Sequence, residues 1–257
     1  MIQETFARWF RPDAGPLPFP STTVLNESWL LRLVLQWFSE QRGLDHPLAL
    51  AHGARWFSEA RLGTPFPERG GAKSGEGQTH ADGVIGHFCV RSGTRSGIKL
   101  RDEAKQLVVV EAKLFSGLST GTKYAQDYDQ AARTVACIAH LLQTAGIRPE
   151  RMSQLAFYVL APESQIRAGL FTKELSRESV KDRVRDRARA HHQNHEDWLQ
   201  VWFEPVSNKI ALETISWEEI IRALKEQDEL EGSEIDEFYQ TALEANKPVS
   251  QDNKHSS

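Results

Sequence analysis

A carboxylate and an ammonium stand two residues apart at the end of a strongly apolar run. The run VVV, residues 108–110, is followed by Glu111, an alanine and Lys113. Alternate side chains of a strand point to one face, so Glu111 and Lys113 share a face about 7 Å apart along the backbone. The apolar run favours a central strand, and charges at the end of such a strand tend to point into a site. The alternative is a weak surface ion pair at a strand end.

Two further acids occupy positions where a carboxylate is costly. Asp82 opens the segment DGVIGHFCV, which we interpret as one strand in which Asp82 shares a face with Val84 and Phe88. Glu27 precedes apolar residues at the i+3, i+4, i+7 and i+8 positions of a predicted helix, and so lies on its apolar stripe. The alternatives are a turn aspartate before Gly83 and a first-turn acid that the helix dipole stabilises.

These residue types together indicate phosphoryl chemistry. Oxygen ligands from Asp82 and Glu111 suit a hard, hydrated cation such as Mg2+, with Mn2+ as an expected substitute. A bound cation of this kind lowers the pKa of water and stabilises charge that builds on a phosphate. Lys113 could orient the attacking water or neutralise the pentacovalent state.

The order of these residues resembles the PD-(D/E)XK nuclease superfamily. Its elements appear here as a helix with Glu27, a strand with Asp82, a strand with Glu111 and Lys113, and a following helix with Gln130. The resemblance covers about residues 20–162. It implies an α/β fold with a restriction-endonuclease-like αβββαβ core, in which helices flank a central mixed sheet, and C-terminal helical additions.

The resemblance also implies roles for single residues. Asp82 and Glu111 would be metal ligands, Glu27 the accessory acid of the metal site and Lys113 the catalytic lysine. One departure is that Ala81 replaces the proline that classically precedes the aspartate.

A glutamine is expected on the helix after the strand with Glu111. The segment YAQDYDQAAR offers Gln126 and Gln130, with Tyr124, Tyr128 and Arg133 nearby. Gln130 is the preferred candidate, because the apolar part of the helix begins directly after it.

The implied activity is Mg2+-dependent endonucleolytic cleavage of DNA, in restriction, phage defence or repair. A homodimer and a partner protein of a defence system are the protein partners that the resemblance allows. Two alternatives remain open. One is a catalytically inactive nuclease-fold subunit that binds DNA or partner proteins in a larger complex. The other is a zinc-dependent hydrolase built on His191 and His195, which have the i, i+4 spacing of helical ligands.

The composition limits the class of protein but does not identify its binding partner. The chain has 257 residues, 40% of them hydrophobic, and a formal net charge of -4, so a polyanion would have to meet a local positive surface. Two cysteines are too few for a disulfide framework, and a cytoplasmic location fits best. No segment approaches the length of a membrane-spanning helix.

Two groups of cations could contact a nucleic acid backbone. Lys181, Arg185 and Arg189 form one stripe on a predicted helix, where neighbouring acids offer the alternative of a solvated, ion-paired surface. Arg183 and Arg187 form a second stripe there. The other group, in glycine-rich segments beside the proposed site, is better placed and consists of Lys73, Arg91, Arg95 and Lys99.

The elements that must position these residues follow from apolar periodicity and breaker residues. We predict a helix within residues 21–43 capped by Thr22 or Thr23, a loop over 53–78, and strands over 80–90 and near 97–113. A helix ending at Gly146, a strand at 155–162 and a polar helical region over 164–192, broken near Gly169, follow. A last strand enters a helix capped by Ser216.

We expect two parts along the chain. Residues 1–228 form the nuclease-like domain, with its core at about 20–162 and a C-terminal extension at 163–228. Residues 229–257 form an acidic helix and a disordered tail, because their final stretch lacks apolar content.

Overall fold

The computed structural model describes residues 20–67, 79–121, 125–191 and 193–247. The strands are β1 Arg55–Leu62, β2 Thr79–Gly86, β3 Phe88–Val90, β4 Ile98–Leu100, β5 Gln106–Ala112, β6 Gln154–Ala161 and β7 Ala211–Ser216. The helices are α1 Glu27–Glu40, α2 Gln130–Ala145, α3 Glu163–Arg167, α4 Arg177–Ala190, α5 Glu196–Trp198, α6 Glu204–Lys209, α7 Trp217–Gln227 and α8 Glu229–Asn246. A π-helical segment, Leu199–Phe203, joins α5 to α6.

Five strands form the central sheet in the order β1-β2-β5-β6-β7. β2 runs antiparallel to both of its neighbours, β1 and β5, whereas β5, β6 and β7 are parallel to one another. The chain passes from β5 to β6 through α2, since neighbouring parallel strands need a crossover connection. The prediction of an α/β protein with a mixed central sheet flanked by helices is confirmed.

Helices cover both faces of the sheet because the central strands are apolar on both sides. Every residue of β5 is buried. Leu107 and Val109 pack with α2 and α4 in one apolar cluster, while Val108 and Val110 pack with α1 and α7 in the other. Side chains alternate along a strand, so Glu111 continues the row that faces α2.

Neutral polar groups close the end of the sheet where β5 begins. Gln106 Nε2 donates to the Ala49 carbonyl at 2.7 Å and to Gln154 Oε1 at 2.6 Å, and Gln106 Oε1 accepts from Ala51 N at 2.9 Å. Gln154 Nε2 donates to the Pro47 carbonyl at 2.7 Å. Both amides therefore bind the segment that precedes β1.

Several predicted element ends are confirmed. α2 ends before Gly146, whose φ of 65° is a left-handed conformation that glycine adopts without strain. The polar helical region is interrupted near Gly169, between α3 and α4. Ser216 caps α7, because its Oγ accepts from Glu219 N at 3.0 Å.

The first helix begins later than predicted. Its N-cap is Asn26, whose Oδ1 accepts from Trp29 N at 3.1 Å. Thr22 and Thr23 lie instead in a short 3-10 turn. The side chain of asparagine, like that of threonine, accepts from a free N–H group of the first turn. The cap therefore lies later in the sequence than predicted but has the same chemistry.

Residues 53–78 were expected to form a loop, and part of that prediction is wrong. β1 occupies Arg55–Leu62 at one edge of the central sheet, whereas residues 68–78 lie outside the described part of the chain. Arg55, Glu59 and Arg61 are exposed. An edge strand with charged residues on its solvent side lacks the apolar pattern by which strands are predicted.

The segment HADGVIGHFCV is two strands instead of one. β2 ends at Gly86, where φ is 152° and a Cβ atom would lie 2.2 Å from the Gln106 carbonyl oxygen. β3 then leaves the central sheet and pairs with β4 in a separate antiparallel hairpin. A backbone approach that only glycine permits therefore separates Asp82 from Phe88 and ends their predicted shared face.

The C-terminal helices join the same fold. Ile235, Tyr239 and Ala242 of α8 pack in the apolar cluster that contains α1 and α7. Tyr239 OH also donates to Glu218 Oε1 at 2.8 Å. Residues 248–257, which include the predicted disordered end, lie outside the described residues. None of the helices in the described ranges is long and apolar enough to cross a bilayer.

Candidate metal site and active site

Asp82 and Glu111 lie where two neighbouring strands part. The last backbone pair between β2 and β5 is Gly83 with Val110, and the next residues in that register are Asp82 and Glu111. Asp82 Oδ2 accepts from Ala112 N at 2.9 Å, so a carboxylate takes the place that a ladder carbonyl would fill. The pleated ladder thus ends in two carboxylates from adjacent strands.

Glu111 is a buried acid with a close cationic partner. Its side chain is 6% exposed, and Lys113 Nζ lies 2.6 Å from Glu111 Oε1. Burial raises the pKa of the Glu111 carboxyl from 4.5 to about 7, and the negative charge of Asp82 is the second cause of this increase. Lys113 and Gln130 act in the opposite direction, because they favour the ionised form of Glu111. The strand therefore brings Lys113 to the carboxylate, and the ammonium balances only part of the local negative charge.

Gln130 reaches Glu111 because the start of α2 is fixed in place. Asp129 caps this helix, since its Oδ1 accepts from Ala132 N at 2.9 Å. Gln130 Oε1 accepts from Ser119 N at 3.0 Å, which leaves the amide N–H groups to donate to Glu111. The structure thus brings Gln130 to the predicted site, whereas Gln126 is exposed.

Two donors from the C-terminal extension hold the backbone that follows Glu111. Trp217 Nε1 donates to the Lys113 carbonyl at 2.9 Å, and Gln165 Nε2 donates to the Leu114 carbonyl at 2.7 Å. On the strand side, Lys113 N donates to the Leu160 carbonyl at 2.8 Å. Sequence reasoning missed Trp217 and Gln165, because no local pattern links either residue to a strand so distant in the sequence.

Glu27 is the first residue of α1, directly after the cap Asn26. The groups that act on the Glu111 carboxyl are Asp82, Lys113 and Gln130, and Glu27 is not among them. In the described part of the chain, no three His, Cys, Asp or Glu side chains come together as a metal-binding group. The accessory role of Glu27 therefore stays a prediction. Tyr124 and Lys73 lie outside the described residues.

Most cations of the α4 stripes are engaged within the molecule. Arg185 donates to Glu204 Oε1 from Nε at 3.0 Å and from an Nη atom at 2.6 Å. Arg189 pairs with Asp186, and the buried Arg187 lies over the Phe66 ring. These contacts favour the structural alternative for α4.

Arg183 of α4 forms an ion pair with Asp129, the residue that caps α2. The two side chains are 19% and 6% exposed. The helix that carries Gln130 is therefore anchored to the C-terminal extension at its first turn.

The predicted histidine pair contacts itself. His195 Nε2 and His191 Nδ1 are 2.7 Å apart, so these two nitrogens share a hydrogen bond. Both rings pack against Phe66. This arrangement matches a buried aromatic cluster better than a zinc site.

No family model, curated protein or solved structure matches this chain. The carboxylates of Asp82 and Glu111 are oxygen donors, and a divalent cation would relieve the repulsion by which the charge of Asp82 raises the pKa of Glu111. The residues present fit such an ion, and Lys113 adds an ammonium beside it.

Proposed function

We propose that this protein is a Mg2+-dependent endonuclease that hydrolyses phosphodiester bonds in DNA, with a PD-(D/E)XK-type core over about residues 20–162. The observation that carries the proposal is the meeting of Asp82, Glu111 and Lys113 at the point where β2 and β5 separate. The order of a helix, three antiparallel strands, a helix and a parallel strand around it supports the αβββαβ assignment. The biological setting in this proposal is restriction, phage defence or repair.

Asp82 and Glu111 would hold the metal ion. When bound, Mg2+ would supply positive charge to a phosphate oxygen and acidify a coordinated water. Burial keeps bulk water from screening the charges at Glu111, so each of them acts strongly on a bound phosphate. The amide of Gln130 would favour the ionised form of Glu111 that binds the metal.

Lys113 would act on the attacking water or on the phosphate. Its ammonium has three donors, and within the described ranges its one acceptor is Glu111 Oε1 at 2.6 Å. Trp217 holds the Lys113 carbonyl, so the side chain starts from a fixed backbone. A fixed ammonium of this kind stabilises negative charge that develops during the displacement.

Cleavage of plasmid and linear DNA, with Mg2+ or with EDTA, tests the activity. We expect Mg2+-dependent cleavage that Lys113→Ala lowers by about 100-fold or more, the usual scale for removing a group that acts in the transition state. The matched control is Lys105→Ala, because Lys105 precedes the opposite end of β5 and its Nζ donates to the Arg151 carbonyl at 3.2 Å. Cleavage that Lys113→Ala leaves intact would refute the site assignment.

Calorimetric titration with Ca2+, which is expected to bind without supporting cleavage, tests the metal site separately. Glu111 must lose its proton to bind a cation, and its pKa is about 7. Affinity should therefore rise about tenfold per pH unit below 7 and level off above it. If no divalent cation binds, alone or with DNA, the inactive DNA-binding subunit becomes the better description.

A further inference from the structure

The hairpin formed by β3 and β4 carries basic residues and no acid. Between Thr79 and Leu100 the sequence has Arg91, Arg95 and Lys99, and its one acid in that stretch is Asp82 of the candidate site. The net charge of the whole chain is -4. A positive surface on such a protein is a local feature, and this hairpin is one stretch in which cations outnumber acids.

The fold brings these cations together with Arg61 of β1. Arg61 N donates to the Ser96 carbonyl at 2.8 Å, and Arg61 forms a parallel bridge with Gly97. The Arg91 guanidinium lies 2.9 Å from the position that a Cβ atom on Gly97 would occupy. Lys99 is two residues further along β4. Arg61, Arg91, Arg95 and Lys99 are all exposed, and we call them the basic hairpin surface.

This surface sits on a rigid base. Phe88, Ile98 and Leu100 anchor the hairpin in the apolar cluster that contains α2. At its tip, Thr94 Oγ1 donates to the Arg91 carbonyl at 2.9 Å and accepts from Gly97 N at 3.1 Å. The backbone that carries the cations is therefore held in place before any ligand binds.

The cations of the basic hairpin surface differ from those of α4 in their partners. None of the four forms an ion pair with an acid in the described part of the chain. The nearest acid on β1, Glu59, is already engaged by Arg32 at 3.3 Å. On α4, by contrast, acids of the same chain neutralise Arg183, Arg185 and Arg189. As far as the described residues go, the charge of the hairpin is not neutralised and is available to an external anion.

The surface lies at the same end of the sheet as the candidate site. Arg61 pairs with His80, two residues before Asp82. The hairpin residue Gly97 bridges to Arg61, so it lies two residues along the strands and two strand spacings away from Asp82, at a backbone separation of about 12 Å. Each strand of a DNA duplex carries a phosphate every 3.4 Å of helix axis, so this separation corresponds to about three to four base pairs.

We propose that the basic hairpin surface binds the phosphate backbone of duplex DNA a few base pairs from the bond that Asp82, Glu111 and Lys113 would act on. This inference rests on the proposed function for its substrate. The contact is to phosphates, which are the same at every base pair, so it carries no sequence readout. It positions the duplex across the end of the sheet.

Fluorescence anisotropy with a short labelled DNA duplex, in EDTA and over a range of salt concentrations, tests the surface. Each phosphate contact contributes about 0.9 to the slope of log affinity against log salt concentration. Arg91→Ala/Lys99→Ala should reduce that slope by about 2 and weaken binding by at least about tenfold near 0.1 M salt. The control is Arg167→Ala/Arg189→Ala, which removes the same charge from cations that pair with Glu163 and Asp186.

An unchanged slope in the hairpin variant, or an equal reduction in both variants, would overturn the inference. A reduction seen with duplex RNA but absent with duplex DNA would overturn the assignment to DNA. The assay needs no catalysis, so it separates the two proposals. Binding through the hairpin without Mg2+-dependent cleavage would refute the proposed endonuclease activity but support the proposed DNA-binding surface. Mg2+-dependent cleavage with an unchanged salt slope would support the activity and refute the surface.

Discussion

Strand β5 buries a polar side chain at each of its ends, and the two ends are chemically opposite. At its start, Gln106 is 2% exposed, and at its other end Glu111 is 4% exposed. Gln106 is neutral, and its amide donates to two acceptors and accepts from one N–H group. Glu111 is an acid beside a second acid, and its pKa of about 7 shows that its ionised form is poorly compensated.

The difference separates a structural polar network from a candidate site. Burial of a polar group costs little once its hydrogen bonds are made, so the Gln106 network stabilises the fold and needs no ligand. Two carboxylates near one ammonium leave negative charge that the protein does not satisfy. Such an arrangement is retained at a cost in stability, which is typical of sites that bind a cation or perform chemistry.

The largest effect is expected from placing a charge in the neutral network. Gln106→Glu removes the donor to the Ala49 carbonyl and to Gln154 Oε1, and it introduces a buried carboxylate without a cation. We expect a loss of about 4 kcal/mol in the free energy of unfolding at neutral pH, the usual scale for an uncompensated buried charge. Urea unfolding measures it. Gln227→Glu, at an exposed helix end, is the control and should change stability by a few tenths of a kcal/mol.

Replacing the buried acid Glu111 by a neutral glutamine should stabilise the metal-free protein. Glu111 has a pKa of about 7 in the fold and about 4.5 when unfolded. Between these values the folded state binds more protons, so stability falls as pH rises from 4.5 to 7. Glu111→Gln removes this loss. The free energy of unfolding of the variant should exceed that of the wild type by at most about 3 kcal/mol above pH 7. Near pH 4.5 the loss of the Glu111 charge should make no difference.

Urea unfolding in EDTA at pH 4.5 and at pH 8 measures that gain. Glu226→Gln, an exposed acid on α7, serves as the control for the change in net charge. Equal stabilisation at both pH values would contradict the prediction, because the effect would then come from packing. A loss of stability at pH 8 would mean that the ion pair with Lys113 outweighs burial and Asp82.

The sequence predicts those parts of the fold that have a local cause. Gly146 ends α2 because its left-handed conformation follows the last apolar turn, and Ser216 caps α7 through an N–H group three residues ahead. β1 was missed because its edge position leaves charged residues exposed. The break after β2 was missed because Gly86 is required by the distant backbone of Gln106, which no local pattern records.

The residues of the candidate site also fall into those that a local pattern predicts and those that depend on distant contacts. Alternation along β5 places Glu111 and Lys113 on one face, and the helix start places Gln130 near them. Whether Glu27 reaches the site depends on how α1 docks, and amphipathic periodicity gives only its apolar side. The contacts of Trp217 and Gln165 with the backbone after Glu111 join residues 104 and 51 positions apart. Only the folded chain reveals them.

The smallest predicted effect concerns the backbone at the site end of β5. Trp217 is fully buried and donates from Nε1 to the Lys113 carbonyl at 2.9 Å. Trp217→Phe keeps an aromatic ring and removes this donor. A hydrogen bond of this kind contributes about 1 kcal/mol, so local opening at Lys113 should become about five times more frequent.

Amide hydrogen exchange measured by NMR detects such opening at Lys113 N, which donates to the Leu160 carbonyl. Dividing the Lys113 rate by that of Val109, in the middle of β5, removes any change in global stability. The matched control is Trp37→Phe, because Trp37 is a buried indole in the same apolar cluster whose Nε1 has no partner among the described residues. A similar ratio in both variants would mean that ring packing, and not the hydrogen bond, holds Lys113. A ratio raised only in Trp217→Phe would show that the charged end of β5 depends on a donor from the C-terminal extension.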